Sequence, residues 1–141
     1  MDDKRIVVAY DGSSDSEKAL NLAITLAKAL DADLFLVAVV ERLYFAEYTD
    51  ASIEAAYVAI KGKQELSVEK GAKYAREAGV LASGTVIEGN PPYAIIEYAN
   101  EQNAFLIVVG TRGLGGFQRL LLGSTARELV TYSNIPVLVA K

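Results

Sequence analysis

The chain has 141 residues, a net charge of −4, a pI of about 4.9 and a hydrophobic fraction of 52%. This length suits one domain over residues 1–141, and the acidic balance argues against a nucleic-acid partner. Neither Cys nor His occurs, which excludes disulfides, thiol catalysis and a histidine base, and leaves Mg²⁺ as the plausible kind of metal. Because no apolar run is long enough to span a membrane and the charged start is unlike a signal peptide, we expect a cytoplasmic protein without a membrane partner.

The first elements are a strand, a helix and a second strand. Residues 5–10 form a β-branched, apolar run, which predicts a buried strand. Ser14 and Glu17 have capping-box spacing, so a helix is expected to begin near Asp15. The apolar run at 33–40 predicts the second buried strand.

The least regular segment is 41–79. Its apolar residues keep helical spacing, but Gly62 and Gly71 weaken the predicted helix between them. The aromatic segment 41–48 could be a lid or a contact surface, and we favour a packed connection.

The second half continues the alternation. A third strand is predicted at 82–88, followed by a helix with Asn90 as a candidate cap and Pro91 in its first turn. The remaining predictions are a strand at 105–109, a helix through Ala126, Leu129, Val130 and Ser133, and a strand at 135–140. The pattern predicts a single-domain, Rossmann-like α/β fold, an open twisted five-stranded parallel sheet with helices on both faces.

Two predicted strands end at residues suited to a ligand site. Asp11 follows the first strand and Gly110 follows the fourth. With the strand order 3-2-1-4-5, these two strands are neighbours, and ligands of such sheets bind beyond the carboxyl ends where the order reverses. Asp11 and Gly110 are therefore expected to border one site.

Residues 110–125 are rich in glycine and lead into a predicted helix. Glycine lets a ligand approach the backbone, and a helix N-terminus offers unpaired N–H groups to an anion. Ser124 and Thr125 add hydroxyl donors, which together predict a phosphate site. The alternative is that Thr125 only caps the helix, because Thr125 and Glu128 also have capping-box spacing.

The spacing of this stretch is more specific than its composition. Gly110, Gly113, Gly123 and Ser124 follow the pattern G-x2-G-x9-G-[ST], which resembles the nucleotide-binding signature of the universal stress protein family. It differs from the triphosphate loop GxxxxGK[ST], since no lysine follows Gly123. Three stretches are similar to blocks of that family, in its order: "VVAYDGS", "VVGTRGLGGFQRLLLGSTARELV" and "NIPVLVA".

The resemblance implies that the chain binds ATP or another adenine nucleotide, with or without Mg²⁺. Carried over by position, Asp11 would meet the ribose and the backbone of Val39 would meet the adenine. Val109 and Gly110 would line the site. The residues that would hold the phosphates are Gly113, Gly123, Ser124 and Thr125.

The leading hypothesis is thus a nucleotide-binding module with a role in stress response, because the side chains of common catalysts are missing. The alternatives are a weak Mg²⁺-dependent ATPase, in which Asp11 holds the metal, and an interaction protein without nucleotide. The last strand, 135–140, is apolar and expected at the sheet edge, where pairing with a second copy would cover it. The resemblance likewise implies a homodimer.

Overall fold

Five strands and four helices alternate along the residues that the computed structural model describes, which are 3–41, 51–111 and 122–141. The strands are β1 (Lys4–Ala9), β2 (Ala32–Val40), β3 (Ala82–Glu88), β4 (Leu106–Gly110) and β5 (Val137–Ala140). The helices are α1 (Ser14–Leu30), α2 (Ala51–Glu77), α3 (Pro91–Glu101) and α4 (Ser124–Tyr132). None of these helices is both long enough and apolar enough to cross a membrane.

The strands pair in parallel in the order β3-β2-β1-β4-β5, which confirms the predicted topology. The central strand β1 ends earlier at its carboxyl end than its neighbours β2 and β4. Its register with β2 ends at Ala9 opposite Val37, and its register with β4 ends at Val8 opposite Val108. Both neighbours continue beyond these pairs, so a gap opens above β1 at the point where the strand order reverses.

Side chains alternate between the two faces of the sheet and form two cores. Ile6 and Leu36 belong to the core that α1 and α2 cover. Val7 and Ile107 belong to the opposite core, which α3 and α4 cover. Each fully buried aliphatic side chain contributes roughly 1.5–3 kcal/mol, so these two layers hold the strand ends that form the gap.

The cap of α1 differs from the predicted one. Ser13, not Ser14, is the N-cap, and its side chain accepts a hydrogen bond from the Ser16 amide (3.2 Å). The backbone of Ser13 is extended and Ser14 already lies in the helix. The capping-box interpretation of Ser14 and Glu17 was wrong, because Glu17 accepts instead from the Tyr10 hydroxyl.

Helix α2 runs unbroken through both of its glycines. A Cβ on Gly71 would lie 2.8 Å from Leu36 Cδ2 and 3.0 Å from Tyr10 Cζ, so this glycine lets the helix pack closely on the sheet. The helix continues despite a propensity cost of about 1 kcal/mol per glycine, and at Gly71 the close packing offsets that cost. Of the aromatic segment 41–48, all but Glu41 lies outside the described residues.

The ends of the later elements settle three further predictions. Asn90 is the N-cap of α3 and Pro91 its first residue, as expected, although no side-chain cap bond forms. Gly123 is the N-cap of α4, so Thr125 lies inside the first turn and the capping-box alternative for it was wrong. The last strand begins later than predicted, since the Ile135 amide donates to Ser133 Oγ (2.9 Å).

Candidate functional site

The gap above β1 is bordered on one side by the backbone of Val39. The Tyr10 amide donates to the carbonyl of Val37 (2.9 Å) where β1 ends. Amide and carbonyl groups of a strand alternate between its two neighbours, so Val39 directs its own N–H and C=O to this same side. Since β1 turns away after Tyr10, the Val39 groups point into the gap, and the side chain of Val39 is half-buried.

Gly110 borders the gap from the opposite side. The Ile107 amide donates to the carbonyl of Pro136 (2.9 Å), so the backbone of Ile107 faces β5 and that of Gly110 faces β1. Val39 and Gly110 are therefore separated by two strand spacings, roughly 10 Å. Val109 differs from both, because its backbone faces β5 and its side chain is buried in the core under α3 and α4.

Asp11 lies at the base of the gap, directly beyond the carboxyl end of β1, in the turn that leads to α1. Its Oδ1 accepts a hydrogen bond from the Ser13 amide (2.9 Å), which fixes the orientation of the carboxylate. Gly12 has a φ of +84°, a conformation that favours glycine, and it lets the chain turn sharply. A Cβ on Gly12 would also lie 2.6 Å from Ser67 Oγ, so the turn is held tightly against α2.

Tyr10 ties this turn to α1. Its ring is buried, and its hydroxyl donates to Oε1 of Glu17. Burial, and then the hydrogen bond to Glu17, raise the pKa of Tyr10 well above its usual range. Tyr10 therefore stays a neutral donor at all ordinary pH values and holds the end of β1 in place.

The first turn of α4 lies beside the end of β4. The Gly123 amide donates to the carbonyl of Thr111 (2.6 Å), which brings the start of α4 next to Gly110. Gly123 provides no side-chain cap, so the first-turn amides of α4 have no such acceptor. At α1 the equivalent place is filled by Ser13 Oγ. Of these two helix ends beside the gap, the positive end of α4 is therefore the one suited to an anion.

The two signature glycines at the ends of this loop have different reasons to be glycine. A Cβ on Gly110 would lie 2.5 Å from the carbonyl oxygen of Asp15 and 2.7 Å from its carbonyl carbon, so Gly110 is needed for α1 to pack. Gly123 has φ −64° and ψ 164°, a backbone that any residue adopts. The backbone conformation at position 123 therefore does not require glycine. A ligand that approaches the backbone closely would require it, because glycine has no Cβ.

The structure brings together most of the residues that the sequence assigned to the site. Gly113 lies outside the described residues. Ser124 and Thr125 occupy the first turn of α4, exposed and half-buried respectively. Sequence reasoning missed Gly12 and Ser13, although a glycine directly after a strand-ending aspartate is a signal for such a turn. No group of three acidic side chains placed to hold a metal occurs in the described ranges.

The comparisons with known proteins agree with this architecture. The chain is 37% identical over 139 residues to a universal stress protein of Methanocaldococcus jannaschii, covering 98% of this chain and 82% of that one. The structure of the universal stress protein UspA from Lactobacillus plantarum matches with a TM-score of 0.85 at 21% identity, covering 98% and 97% of the two chains. A universal stress protein solved in complex with cAMP matches with a TM-score of 0.74 at 26% identity, covering 98% and 97%.

The match to a family model extends over nearly all of the chain. It covers residues 3–141, including every strand and helix described above. Together with the relative at 37% identity, this match shows that the chain belongs to the universal stress protein family.

Proposed function

We propose that the protein binds an adenine nucleotide, ATP or another, in the gap above β1, and that it acts in the cytoplasm in a stress response. One observation carries the proposal. The gap between Val39 and Gly110 opens directly beside the uncapped first turn of α4. A nucleoside and its phosphates need these two environments side by side.

The groups at the gap suit a nucleoside. Adenine presents a ring nitrogen that accepts and an amino group that donates, and the N–H and C=O of Val39 offer the complementary pair. The carboxylate of Asp11, oriented by the Ser13 amide, suits the two hydroxyls of a ribose. The relative in complex with cAMP binds an adenine nucleotide, which supports the choice of base.

The phosphates would lie at α4. Backbone N–H groups of its first turn and the hydroxyls of Ser124 and Thr125 are donors, and the helix dipole favours a negative charge there. Gly113, from the signature, is proposed to complete this subsite. Mg²⁺ would be held mainly by the nucleotide's own phosphates, with the carboxylate of Asp11, in the turn after β1, as a further ligand.

A Gly123→Val variant tests the phosphate subsite. The valine fits the extended backbone of position 123, so the fold should persist, whereas its branched side chain would crowd a phosphate at the first turn of α4. We expect millimolar ATP to raise the Tm of the wild type and to raise that of the variant by less than half as much.

The control is Val130→Ala, an exposed position of the same helix. This variant should keep the full ATP-induced rise in Tm. If ATP raises the Tm of Gly123→Val as much as that of the wild type, α4 does not contribute to the proposed site. The absence of any rise with ATP, ADP, AMP or cAMP in the wild type would overturn the proposed function itself.

We also propose that the protein forms a homodimer through β5. This strand is at the edge of the sheet, and only its β4 side is paired within the chain. Pro136 directs its carbonyl to β4, so Val137 and Val139 direct their backbone groups outward. The side chains of Val137, Leu138 and Val139 are only half-buried. A second copy would pair with the outward groups and cover this edge.

Val139→Pro is expected to produce a monomer. Proline removes the outward N–H of position 139 and spares the β4 pairing, a placement that edge strands tolerate. Light scattering should give one chain for the variant and two for the wild type at micromolar concentration. Leu138→Pro, whose amide faces β4, is the contrasting variant and should destabilise the fold. A monomeric wild type would contradict the dimer.

A further inference from the structure

Gln64 on α2 carries a buried hydrogen-bond acceptor that nothing in the described structure satisfies. Its Oε1 is shielded from solvent and is the one buried side-chain oxygen or nitrogen of the described residues that lacks a partner. A buried acceptor without a partner is destabilising, and each case in a native protein calls for an explanation. A ligand that donates a hydrogen bond to Gln64 would provide one.

The packing of α2 places Gln64 at the carboxyl end of the sheet. Ser67 lies against Gly12, and the backbone of Val68 lies against Gly84 in the middle of β3. Toward its start, the same helix sends the Tyr57 hydroxyl to the carboxylate of Glu88, the last residue of β3. The helix therefore runs antiparallel to the strands, and its earlier residues lie nearer the carboxyl ends.

Gln64 precedes Ser67 by three residues and Val68 by four, which puts all three on one side of the helix. It lies about one turn, roughly 5 Å, closer to the carboxyl edge than the residues that touch Gly12 and Gly84. Glu65, its neighbour, is exposed, so the buried Oε1 lies on the sheet side of α2. This places the amide beside the Asp11–Gly12 turn and the end of β2.

We infer that Gln64 is a specificity-determining residue that reads the base of the bound nucleotide, an inference that rests on the proposed function. The 6-amino group of adenine has two hydrogens, and the carbonyl of Val39 takes only one. The amide of Gln64 can accept the second at Oε1 and donate from Nε2 to N7. Gln and Asn use this bidentate pattern to recognise adenine elsewhere.

The distinguishing variant is Gln64→Leu, which keeps the size of the side chain and removes both polar groups. In the ligand-free protein it removes an unsatisfied acceptor, so the Tm should stay equal or rise. The affinity for ATP should nevertheless fall by about five- to tenfold. A residue with a merely structural role would not give this opposite pair of effects.

The base contact is tested by titrating wild type and Gln64→Leu with ATP, 7-deaza-ATP and 2′-deoxy-ATP, with Glu65→Leu as the control. We expect the wild type to bind 7-deaza-ATP about fivefold more weakly than ATP, and Gln64→Leu to bind the two equally. Glu65→Leu should behave as the wild type.

Three results would overturn the inference: an unchanged ATP affinity in Gln64→Leu, a preference for ATP over 7-deaza-ATP that survives the substitution, or a loss of discrimination against 2′-deoxy-ATP alone. The last result would assign Gln64 to the ribose. If the wild type binds none of these nucleotides, the proposed function itself is wrong, a result distinct from the three that concern Gln64.

Discussion

Gly110→Ala is expected to destabilise the protein by about 2–3 kcal/mol, the upper part of the range for overpacking a close-packed contact. The added Cβ would meet the backbone of Asp15 at 2.5 Å, in the first turn of α1. A backbone group cannot swing aside as a side-chain end can, so α1 or β4 must shift. Urea unfolding followed by circular dichroism should show the midpoint fall.

The matched control for this loss is Gly62→Ala. Gly62 lies inside α2, and a Cβ there would have no atom within 4 Å. Alanine should raise the free energy of unfolding by about 0.5–1 kcal/mol, because glycine is the weaker helix former. If Gly110→Ala unfolds at the same urea concentration as the wild type, the close packing of α1 on the end of β4 is wrong.

Leu129→Ala is expected to have the other large effect. Helix α4 has only nine residues, and just Ala126 and Leu129 are buried. Removing a fully buried leucine costs about 2–5 kcal/mol, and here it removes most of what docks the helix. Because the first turn of α4 is the proposed phosphate subsite, affinity for ATP should fall together with stability.

Val130→Ala is the control for this prediction as well, since Val130 is adjacent and 52% exposed. It should change the free energy of unfolding by less than about 0.5 kcal/mol. Equal effects of Leu129→Ala and Val130→Ala on unfolding would contradict the packing of α4. If Leu129→Ala is destabilised but binds ATP as tightly as the wild type, α4 is not part of the ATP site.

The alternation of strands and helices, and with it the parallel sheet, was predictable from the sequence because short β-branched runs alternate with segments of helical spacing. The bounds of β3 agree with the predicted 82–88 for this reason. The N-cap of α1 was not predictable from the sequence, because Ser13, Ser14 and Ser16 all have side chains that can cap a helix. The hydrogen bond from the Ser16 amide to Ser13 Oγ, which only the structure gives, identifies Ser13 as the cap.

Tertiary packing also decided points that local patterns could not. Gly71 is weak in a helix by propensity, yet it lies where Leu36 and Tyr10 leave no room for a Cβ. Val109 and Gly110 are neighbours in the sequence, but the register of β4 turns the first toward β5 and the second toward the gap. The sequence could name the pair of residues and could not say which backbone meets a ligand.

A calorimetric titration of the unheated protein with ATP tests the central claim most directly. The account predicts a saturable isotherm with one nucleotide for each chain, and a much weaker isotherm for Gly123→Val at unchanged circular dichroism. No detectable binding of ATP, ADP, AMP or cAMP at millimolar concentration by the folded wild type would contradict it.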